Sequence, residues 1–225
     1  MRRELILTFH GVGTPHSGVG TDELPFWIPR RKFAVLIDQI ANMSEAAATQ
    51  TTITFDDGNA SDATIAMPEL VKRGLTATFF VCAERIGMPH YLDKSAIREL
   101  LQAGMAIGTH GMRHCDWRTL DDGALDAEIS EARERIADAC GRAVTTASVP
   151  FGSYDRRVLA RLRQESLECV YTSDGGLARS DAWLKPRQSL NATWSTRDLG
   201  CVAAAGPSPA ARLRRRAAML YKALR

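Results

Sequence analysis

The chain has 225 residues, of which 45% are hydrophobic and 24% charged, with a formal net charge of +3. These proportions are ordinary for a globular protein and allow one α/β domain, whereas the small net charge gives no reason to expect nucleic-acid binding. No apolar run is long enough to span a bilayer. The five cysteines are widely spaced and lack a Cys-x-x-Cys pair, so we expect free thiols in the cytoplasm and no cysteine-type zinc site.

The N-terminal residues are basic and then apolar, as in a signal peptide. Their apolar part, residues 5–9, is short and ends at His10 and Gly11 without a small-residue cleavage site, so it predicts a first buried strand. Residues 11–31 contain several glycines and prolines and predict a long loop, of a kind that is often functional. The helical spacing of the apolar residues over 32–42 predicts the first helix.

Strand and helix patterns alternate along most of the remaining chain. The predicted strands are 51–55, 76–81, 105–109, 145–149, 169–173 and 184–190, and the predicted helices are 61–73, 93–102, 121–139 and 156–165. This alternation, without a strong hairpin signal, indicates a parallel sheet covered by helices, either closed as a barrel or open. In both architectures the chemistry lies at the carboxyl ends of the strands.

Polar residues follow several of these predicted strands. They are His10, Asp56, Asp57, His110, the Pro150–Gly152 turn and Asp174. Two adjacent acids at the end of a buried strand are costly unless a cation neutralises them. Neighbouring strand residues also point to opposite sides, so Asp56 and Asp57 are expected to have different roles. The alternative interpretation is a plain Asp-Gly turn after the strand.

His110 and His114 are four residues apart, a spacing that places two imidazoles on one side of a helical turn. Two imidazoles and one carboxylate, with positions left open, are suited to a catalytic zinc ion that activates water. Such a ligand set also accepts cobalt or nickel. The alternative interpretation is a pair of surface histidines on a loop.

Four segments resemble, in order, the motifs of the polysaccharide deacetylases of the NodB-homology type. They are Thr54–Gly58, Ala77–Val81, Thr109-His110-x-x-x-His114 and Pro150-Phe151-Gly152-x-Tyr154-Asp155. The resemblance covers roughly residues 5–190. It implies a distorted (β/α) barrel with fewer than eight repeats, a divalent metal that is usually zinc, and removal of acyl groups from N-acylated sugars. We therefore expect a catalytic domain over residues 1–200.

The resemblance also implies roles for single residues. Asp57, His110 and His114 correspond to the metal ligands, and Asp56 to the general base. The backbone N–H of Phe151 corresponds to a donor for the oxyanion. Five further residues are expected to shape the sugar-binding site, namely Pro150, Gly152, Tyr154, Asp174 and Trp183, although Asp174 also fits a simple turn and Trp183 a core position.

The sequence departs from the family pattern at two positions. Many members carry an arginine that holds the base where Ser148 stands in this chain, and Arg187 is one candidate to replace it. Many members also end with a Leu-x-His motif whose histidine is the general acid, but no histidine follows His114. Among the remaining histidines we favour His10 for this role, because it ends the first strand. The alternative for His10 is a buried histidine bonded to the backbone.

The tail over residues 201–225 contains a basic amphipathic segment. Leu213, Ala217, Leu220 and Leu224 form one helical stripe, and arginines dominate the rest of residues 211–225. A basic amphipathic helix can lie on an anionic membrane, which here would be the inner membrane face. An ordinary docked helix and a frayed terminus are the alternatives.

The sequence as a whole predicts a metal-dependent deacetylase acting on the N-acetyl group of a polysaccharide, an oligosaccharide or a lipid-linked glycan. One alternative is an amidase or deformylase on a non-polymeric amide. Another is a glycan-binding barrel without catalysis, against which the intact Asp56 argues, since a pure binder needs no base beside a metal ligand. The sequence does not indicate the oligomeric state.

Overall fold

The computed structural model describes residues 3–46, 50–205 and 208–225. The strands are β1 (Arg3–Phe9), β2 (Gln50–Phe55), β3 (Thr78–Val81), β4 (Ala106–Thr109), β5 (Thr146–Ser148), β6 (Cys169–Thr172), β7 (Leu177–Arg179), β8 (Leu184–Pro186) and β9 (Gln188–Ser189). The helices are α1 (Arg30–Ala46), α2 (Met67–Val71), α3 (Lys94–Gln102), α4 (Asp122–Asp126), α5 (Ala132–Cys140), α6 (Arg156–Leu162), α7 (Thr196–Ala205) and α8 (Pro209–Leu224).

The strands form one sheet in the order β7-β1-β2-β3-β4-β5-β6-β8, and β9 also pairs with β1. All the pairings are parallel except that of β7 with β1. The sheet curls into a nearly closed barrel, which confirms the predicted (β/α) fold. In the described part of the chain, a helix that covers the barrel follows each of the first five strands, so the repeats are fewer than eight.

The strand register aligns the carboxyl ends of neighbouring strands. Phe9 pairs with Phe55, Phe55 with Phe79, and Val81 with Thr109. The parallel strands β1 to β4 therefore end at the same rim of the barrel, and the residues that follow them meet there. This register is the reason that side chains far apart in the sequence form one site.

Successive side chains of a strand point to opposite faces of the sheet, so the strands line two separate layers of the interior. Phe9, Phe55 and Phe79 stack in a row, with ring centroids 5.3 and 4.7 Å apart, and Phe9 packs edge-on against Phe33 of α1. This row fills the layer between the sheet and its helices. Residues on the opposite faces of the strands, such as Thr8 and Thr54, point into the barrel, where their hydroxyl oxygens lie 2.8 Å apart.

Three parts of the chain differ from the sequence-based expectation. The strand β7 was not predicted, and it runs antiparallel to β1. The strand predicted over 184–190 is divided at Arg187 into β8 and β9, which lie on different neighbours. The helix α7 was also not predicted, and it packs against α1 through the buried Leu199. The domain boundary expected after residue 200 stays a prediction, and residue 200 lies inside this helix.

The C-terminal segment forms the helix α8, which begins after the capping residue Ser208. The side chain of Ser208 accepts a hydrogen bond from the N–H of Ala211, which satisfies one of the free donors of the first turn. The helix packs against α6. Among the described residues, none of the helices combines the length and the apolar character required to cross a membrane.

Candidate active site

Asp56 lies at the end of β2, and Arg187 donates a hydrogen bond to each of its two carboxylate oxygens. The guanidinium donates from Nη1 to Oδ1 at 2.7 Å and from Nη2 to Oδ2 at 2.6 Å. Both side chains are buried, so this bidentate pair satisfies a charge that would otherwise be costly in the barrel interior. Arg187 thus lies where it can orient Asp56, and its replacement of the arginine that many family members carry stays a prediction.

The small side chain of Ser148 makes room for Arg187 beside Asp56. This serine lies at the end of β5, and its hydroxyl accepts a hydrogen bond from Arg187 Nη2 at 2.7 Å and lies 3.3 Å from Asp56 Oδ2. A small side chain there leaves space for the guanidinium that enters from between β8 and β9. Burial raises the pKa of Asp56, but the charge and hydrogen bonds of Arg187 outweigh it, so the pKa lies well below its ordinary value.

The carboxylate of Asp57 differs from that of Asp56 in its hydrogen bonding. Its backbone adopts a left-handed conformation with φ of 80°, which is uncommon outside glycine and turns its side chain away from the strand direction. Its Oδ1 atom is buried without a hydrogen-bond partner. Arg85 Nη1 approaches this oxygen at 3.5 Å, but that atom also makes no hydrogen bond. A buried, unpartnered carboxylate oxygen is rare in folded proteins and calls for a cation.

The two histidines present their Nε2 atoms to that same oxygen. His110 Nε2 lies 3.7 Å and His114 Nε2 lies 3.4 Å from Asp57 Oδ1. The Nδ1 atom of His110 is 2.9 Å from the carbonyl oxygen of Ser148. Because a carbonyl oxygen only accepts, this nitrogen carries the proton and Nε2 keeps its lone pair. Burial lowers the pKa of His110 to about 4, so the ring is neutral, as a metal ligand must be.

Glu23 supplies the matching contact for His114, and sequence reasoning missed it. Its Oε1 lies 3.3 Å from His114 Nδ1 and 3.4 Å from Arg85 Nη2. The hydrogen bond with His114 lowers the pKa of Glu23 to about 2. A carboxylate behind a histidine is the usual partner of a metal-binding imidazole. The only sequence signal was its position in the long 11–31 loop.

The loop between the two histidines is held by Glu128, which lies in a π-helical turn between α4 and α5. Its buried carboxylate accepts hydrogen bonds from the backbone N–H of Met112 and Arg113 and from the indole of Trp117. Gly111 passes so close that a Cβ there would lie 2.7 Å from Glu128 Oε2. These contacts fix the loop so that His114, with a left-handed φ of 62°, faces His110.

Asp57, His110 and His114 therefore fit a divalent metal ion. One donor atom from each lies within 4.8 Å of the others. Two ligands held about 2.0–2.2 Å from a tetrahedral zinc ion are themselves about 3.4 Å apart, close to the separations found here. The chemistry of the donor atoms also indicates a cation site, since Oδ1 of Asp57 has no hydrogen-bond partner and the two Nε2 atoms lie close to it. These residues match the ligand set predicted from the sequence.

The Pro150–Gly152 turn borders this cluster. Phe151 has a left-handed φ of 57°, its side chain is 53% exposed, and its ring centroid lies 4.5 Å from that of His114. Three of the four non-glycine residues with positive φ in the described chain, Asp57, His114 and Phe151, thus lie in one site. Clustering of strained backbone is typical of functional sites.

His10 follows β1 and lies beside Asp56, as the register of β1 and β2 requires. Its ring packs on Phe26 with centroids 4.8 Å apart, and its Nδ1 atom is buried without a partner. His16 and His90 instead stack on each other at 4.5 Å. The structure brings His10 to the mouth of the barrel, and its role as an acid stays a prediction.

Three predicted substrate-binding residues make their contacts outside the cluster of Asp57, His110 and His114. Tyr154 is 1% exposed and donates its hydroxyl to Asp174, which also accepts a hydrogen bond from Lys222 of α8 at 2.6 Å. Both residues therefore anchor the C-terminal helix, and their contact with substrate stays a prediction. Trp183 precedes β8, at the barrel end opposite the site, where its indole donates to the Leu167 carbonyl. The structure therefore does not bring Trp183 to the cluster, and its stacking on a sugar stays a prediction.

Comparison with known proteins decides the family. The sequence model described as "Polysaccharide deacetylase" matches residues 44–170, which is more than half of the chain. The chain belongs to the polysaccharide deacetylase family. Its members are hydrolases that act on N-acetyl amide bonds. The match includes Asp56, Asp57 and both histidines of the cluster, so the geometry above lies inside the family domain.

Curated relatives are similar over about half of this chain. YxkH of Bacillus subtilis (strain 168), provisionally named a polysaccharide deacetylase, is 28% identical over 129 residues, covering 57% of this chain and 46% of that protein. A chitin deacetylase of Pestalotiopsis sp is 26% identical over 110 residues, covering 49% of this chain and 37% of that protein. The chain thus spans less than half the length of these relatives.

Solved structures share the fold over most of the chain. The deacetylase PplD of Streptococcus pyogenes, solved in complex with acetate, superposes with a TM-score of 0.77 at 17% identity, covering 89% of this chain and 98% of that one. IcaB from Ammonifex degensii superposes with a TM-score of 0.73 at 20% identity, covering 91% of this chain and 98% of that one. At these identities the likeness establishes the shared barrel.

Proposed function

We propose that this chain is a metal-dependent deacetylase that hydrolyses the N-acetyl amide of an N-acylated sugar. The observation that carries the proposal is the contrast at Asp56-Asp57. One carboxylate is fully bonded by Arg187, and the other directs an unpartnered oxygen toward two oriented imidazoles. A barrel that only binds glycan has no need of a base held ready beside a metal-ligand set.

Asp57, His110 and His114 would hold the ion, for which zinc is the first candidate and cobalt or nickel are alternatives. When bound, the ion supplies Lewis-acid polarisation of the acyl carbonyl and lowers the pKa of a nearby water. Asp56 Oδ2 lies 3.8 Å from His110 Nε2, so the base borders the metal position without belonging to the ligand cluster.

Asp56 accepts the proton of the attacking water. Its low pKa keeps it ionised at physiological pH, so it is always available as an acceptor. Arg187 restricts its orientation with two hydrogen bonds, which holds the carboxylate ready before substrate arrives. The backbone N–H of Phe151, in the turn beside His114, is the proposed donor to the developing oxyanion, and His10 is the proposed acid for the departing amine.

The substrate class rests on family membership together with the exposed Phe151 at the mouth, an aromatic ring that a sugar face can contact. A polymer, a free oligosaccharide and a lipid-linked glycan all carry the required N-acetyl group. Placement in the cytoplasm is supported by the cysteines, all five of which are free thiols.

The test is acetate release from chitooligosaccharides and from a nucleotide-linked N-acetyl sugar. The protein is first stripped with a chelator and then reconstituted with one equivalent of zinc, cobalt or nickel. We expect release only by the reconstituted protein, and release slowed by roughly 10²–10⁴-fold in its Asp56→Asn variant carrying the same metal. Full metal occupancy without acetate release from any of these amides would contradict the proposal.

A further inference from the structure

The helix α8 exposes an apolar stripe. Leu213, Leu220, Tyr221 and Leu224 are between 59% and 70% exposed, and Ala217 between them is also exposed. Their spacing places them on one face of the helix. Of the nine large hydrophobic side chains that are exposed in the described chain, these four lie together, whereas the others are dispersed over the sequence. A contiguous exposed patch of this kind marks an interaction surface.

The opposite face of α8 is fixed to the domain. Lys222 Nζ donates to Asp174 at 2.6 Å and to the carbonyl oxygen of Gly152 at 3.0 Å, and it lies over the ring of Tyr154. The side chain of Arg215 lies against Gly175 and Gly176. While these contacts persist, the apolar stripe cannot turn inward. Its exposure therefore follows from how the helix is attached.

All the charged residues of α8 are basic. The helix carries five of the 29 basic residues of the chain and none of its 26 acidic residues, so the rest of the chain is net negative. Arg214 and Arg216 are exposed beside the stripe, and Arg225 follows its end. A second copy docking through this face would bring these arginines against one another, which is unfavourable. The charge pattern favours an anionic partner surface.

We propose that the outward face of α8 docks this domain on an anionic lipid surface. An apolar stripe flanked by arginines buries its leucines at the boundary between headgroups and acyl chains, while the arginines contact the lipid phosphates. Because Lys222 donates a hydrogen bond to the carbonyl oxygen of Gly152, α8 lies next to the Pro150–Gly152 turn. Docking thus brings the rim of the barrel close to the membrane.

The experiment is co-sedimentation of the full chain with vesicles. One set contains phosphatidylglycerol and phosphatidylcholine in equal parts, and the other contains phosphatidylcholine alone. We expect binding to the first set only, with loss at high salt. The double variant Leu220→Glu/Leu224→Glu should bind at least ten-fold more weakly. The variant Arg214→Gln/Arg216→Gln should lose roughly five-fold per arginine.

The control is Val35→Glu/Val71→Glu, which places the same two charges at exposed hydrophobic positions of α1 and α2. It should bind vesicles like the unmodified chain. Failure of the unmodified chain to bind the anionic vesicles would overturn the proposal, as would unchanged binding by the leucine variant or an equal loss in the control. So would a dimer in sedimentation velocity that only the leucine variant dissociates, since a second copy would then cover the stripe. None of these outcomes depends on the deacetylase activity.

Discussion

Asp56 and Asp57 are neighbours in the chain, and yet their carboxylates lie in opposite electrostatic environments. Both oxygens of Asp56 receive hydrogen bonds from Arg187, whereas Oδ1 of Asp57 receives none. The first charge is compensated within the fold. The second has Arg85 Nη1 at 3.5 Å but no hydrogen bond to Oδ1, which leaves that oxygen open to a ligand. The difference is what the proposed function requires of one strand end, namely an ionised base and a cation ligand side by side.

The backbone creates this difference. Asp56 continues the extended geometry of β2, with its N–H donating to the Phe9 carbonyl, and so points into the barrel toward Arg187. Asp57 adopts φ of 80°, which turns its carboxylate toward the histidine loop. The strained conformation has an energetic cost of about 1–3 kcal/mol. A bound cation would offset it, since the ion is attracted to the oxygen that the strain exposes.

The largest effect is expected from Asp57→Asn. The amide oxygen is a weaker ligand than a carboxylate, so metal content after dialysis should fall to background and acetate release should become undetectable. In the chelated protein the variant should melt at the same temperature as the unmodified chain or higher, because it removes a buried carboxylate whose Oδ1 has no hydrogen-bond partner. Metal analysis and calorimetry check both parts. Retention of stoichiometric metal would refute the ligand assignment.

Asp56→Asn tests the other carboxylate. Loss of a general base lowers turnover by roughly 10²–10⁴-fold. Metal content should remain stoichiometric, because Asp56 lies outside the ligand cluster. Steady-state kinetics together with metal analysis of the same sample separates the two aspartates. If the variant loses its metal along with its activity, the contrast drawn between them is wrong.

Arg187→Met tests the compensation of Asp56. Removing one partner of a buried ion pair destabilises a protein by about 3–5 kcal/mol, because the other charge stays buried and unpaired. Denaturant unfolding should show this loss. The double variant Arg187→Met/Asp56→Asn should recover most of it, since neither member of the pair is then charged. A double variant as unstable as the single one would mean that Arg187 stabilises the fold by packing against Phe80 and Tyr171 instead.

The pH dependence of the metal-free protein reports on His110. Its pKa is near 6.5 in the unfolded chain and about 4 in the folded protein. Between these values the unfolded state binds the extra proton, so stability falls as the pH drops from 6.5 to 4, by about 1.4 kcal/mol per pH unit. Unfolding of chelated protein at several pH values, compared with His110→Gln, isolates this contribution. An identical pH profile in the variant would contradict it.

The smallest effect is expected from Glu23→Gln. The carboxylate behind His114 orients the ring and strengthens it as a ligand, and loss of such a partner typically weakens metal affinity 10–100-fold. Competition with a chromophoric chelator measures that affinity. At saturating metal, turnover should be largely restored. Glu99→Gln on α3 is a matched control, since Glu99 is exposed and outside the cluster. A turnover defect that excess metal does not repair would assign Glu23 a different role.

The fold was readable because its signals are local. The apolar runs over 51–55 and 105–109 are strands whatever lies next to them, and alternation with helices leaves few topologies. By contrast, the three residues of β7 are too short to show a pattern, and α7 is recognisable only through its packing on α1. Short elements are defined by the neighbours they pair with, which no local window contains.

The sequence by itself determined the residue types at the strand ends, the spacing of His110 and His114, and hence the candidate metal-ligand set. Only the tertiary structure decided which cation holds Asp56, because Arg187 is 131 residues away and reaches it through closure of the barrel. The same closure brought Glu23 to His114, put Trp183 at the far end, and turned the leucines of α8 outward. Local patterns determine what a side chain can do, whereas long-range packing determines what it meets.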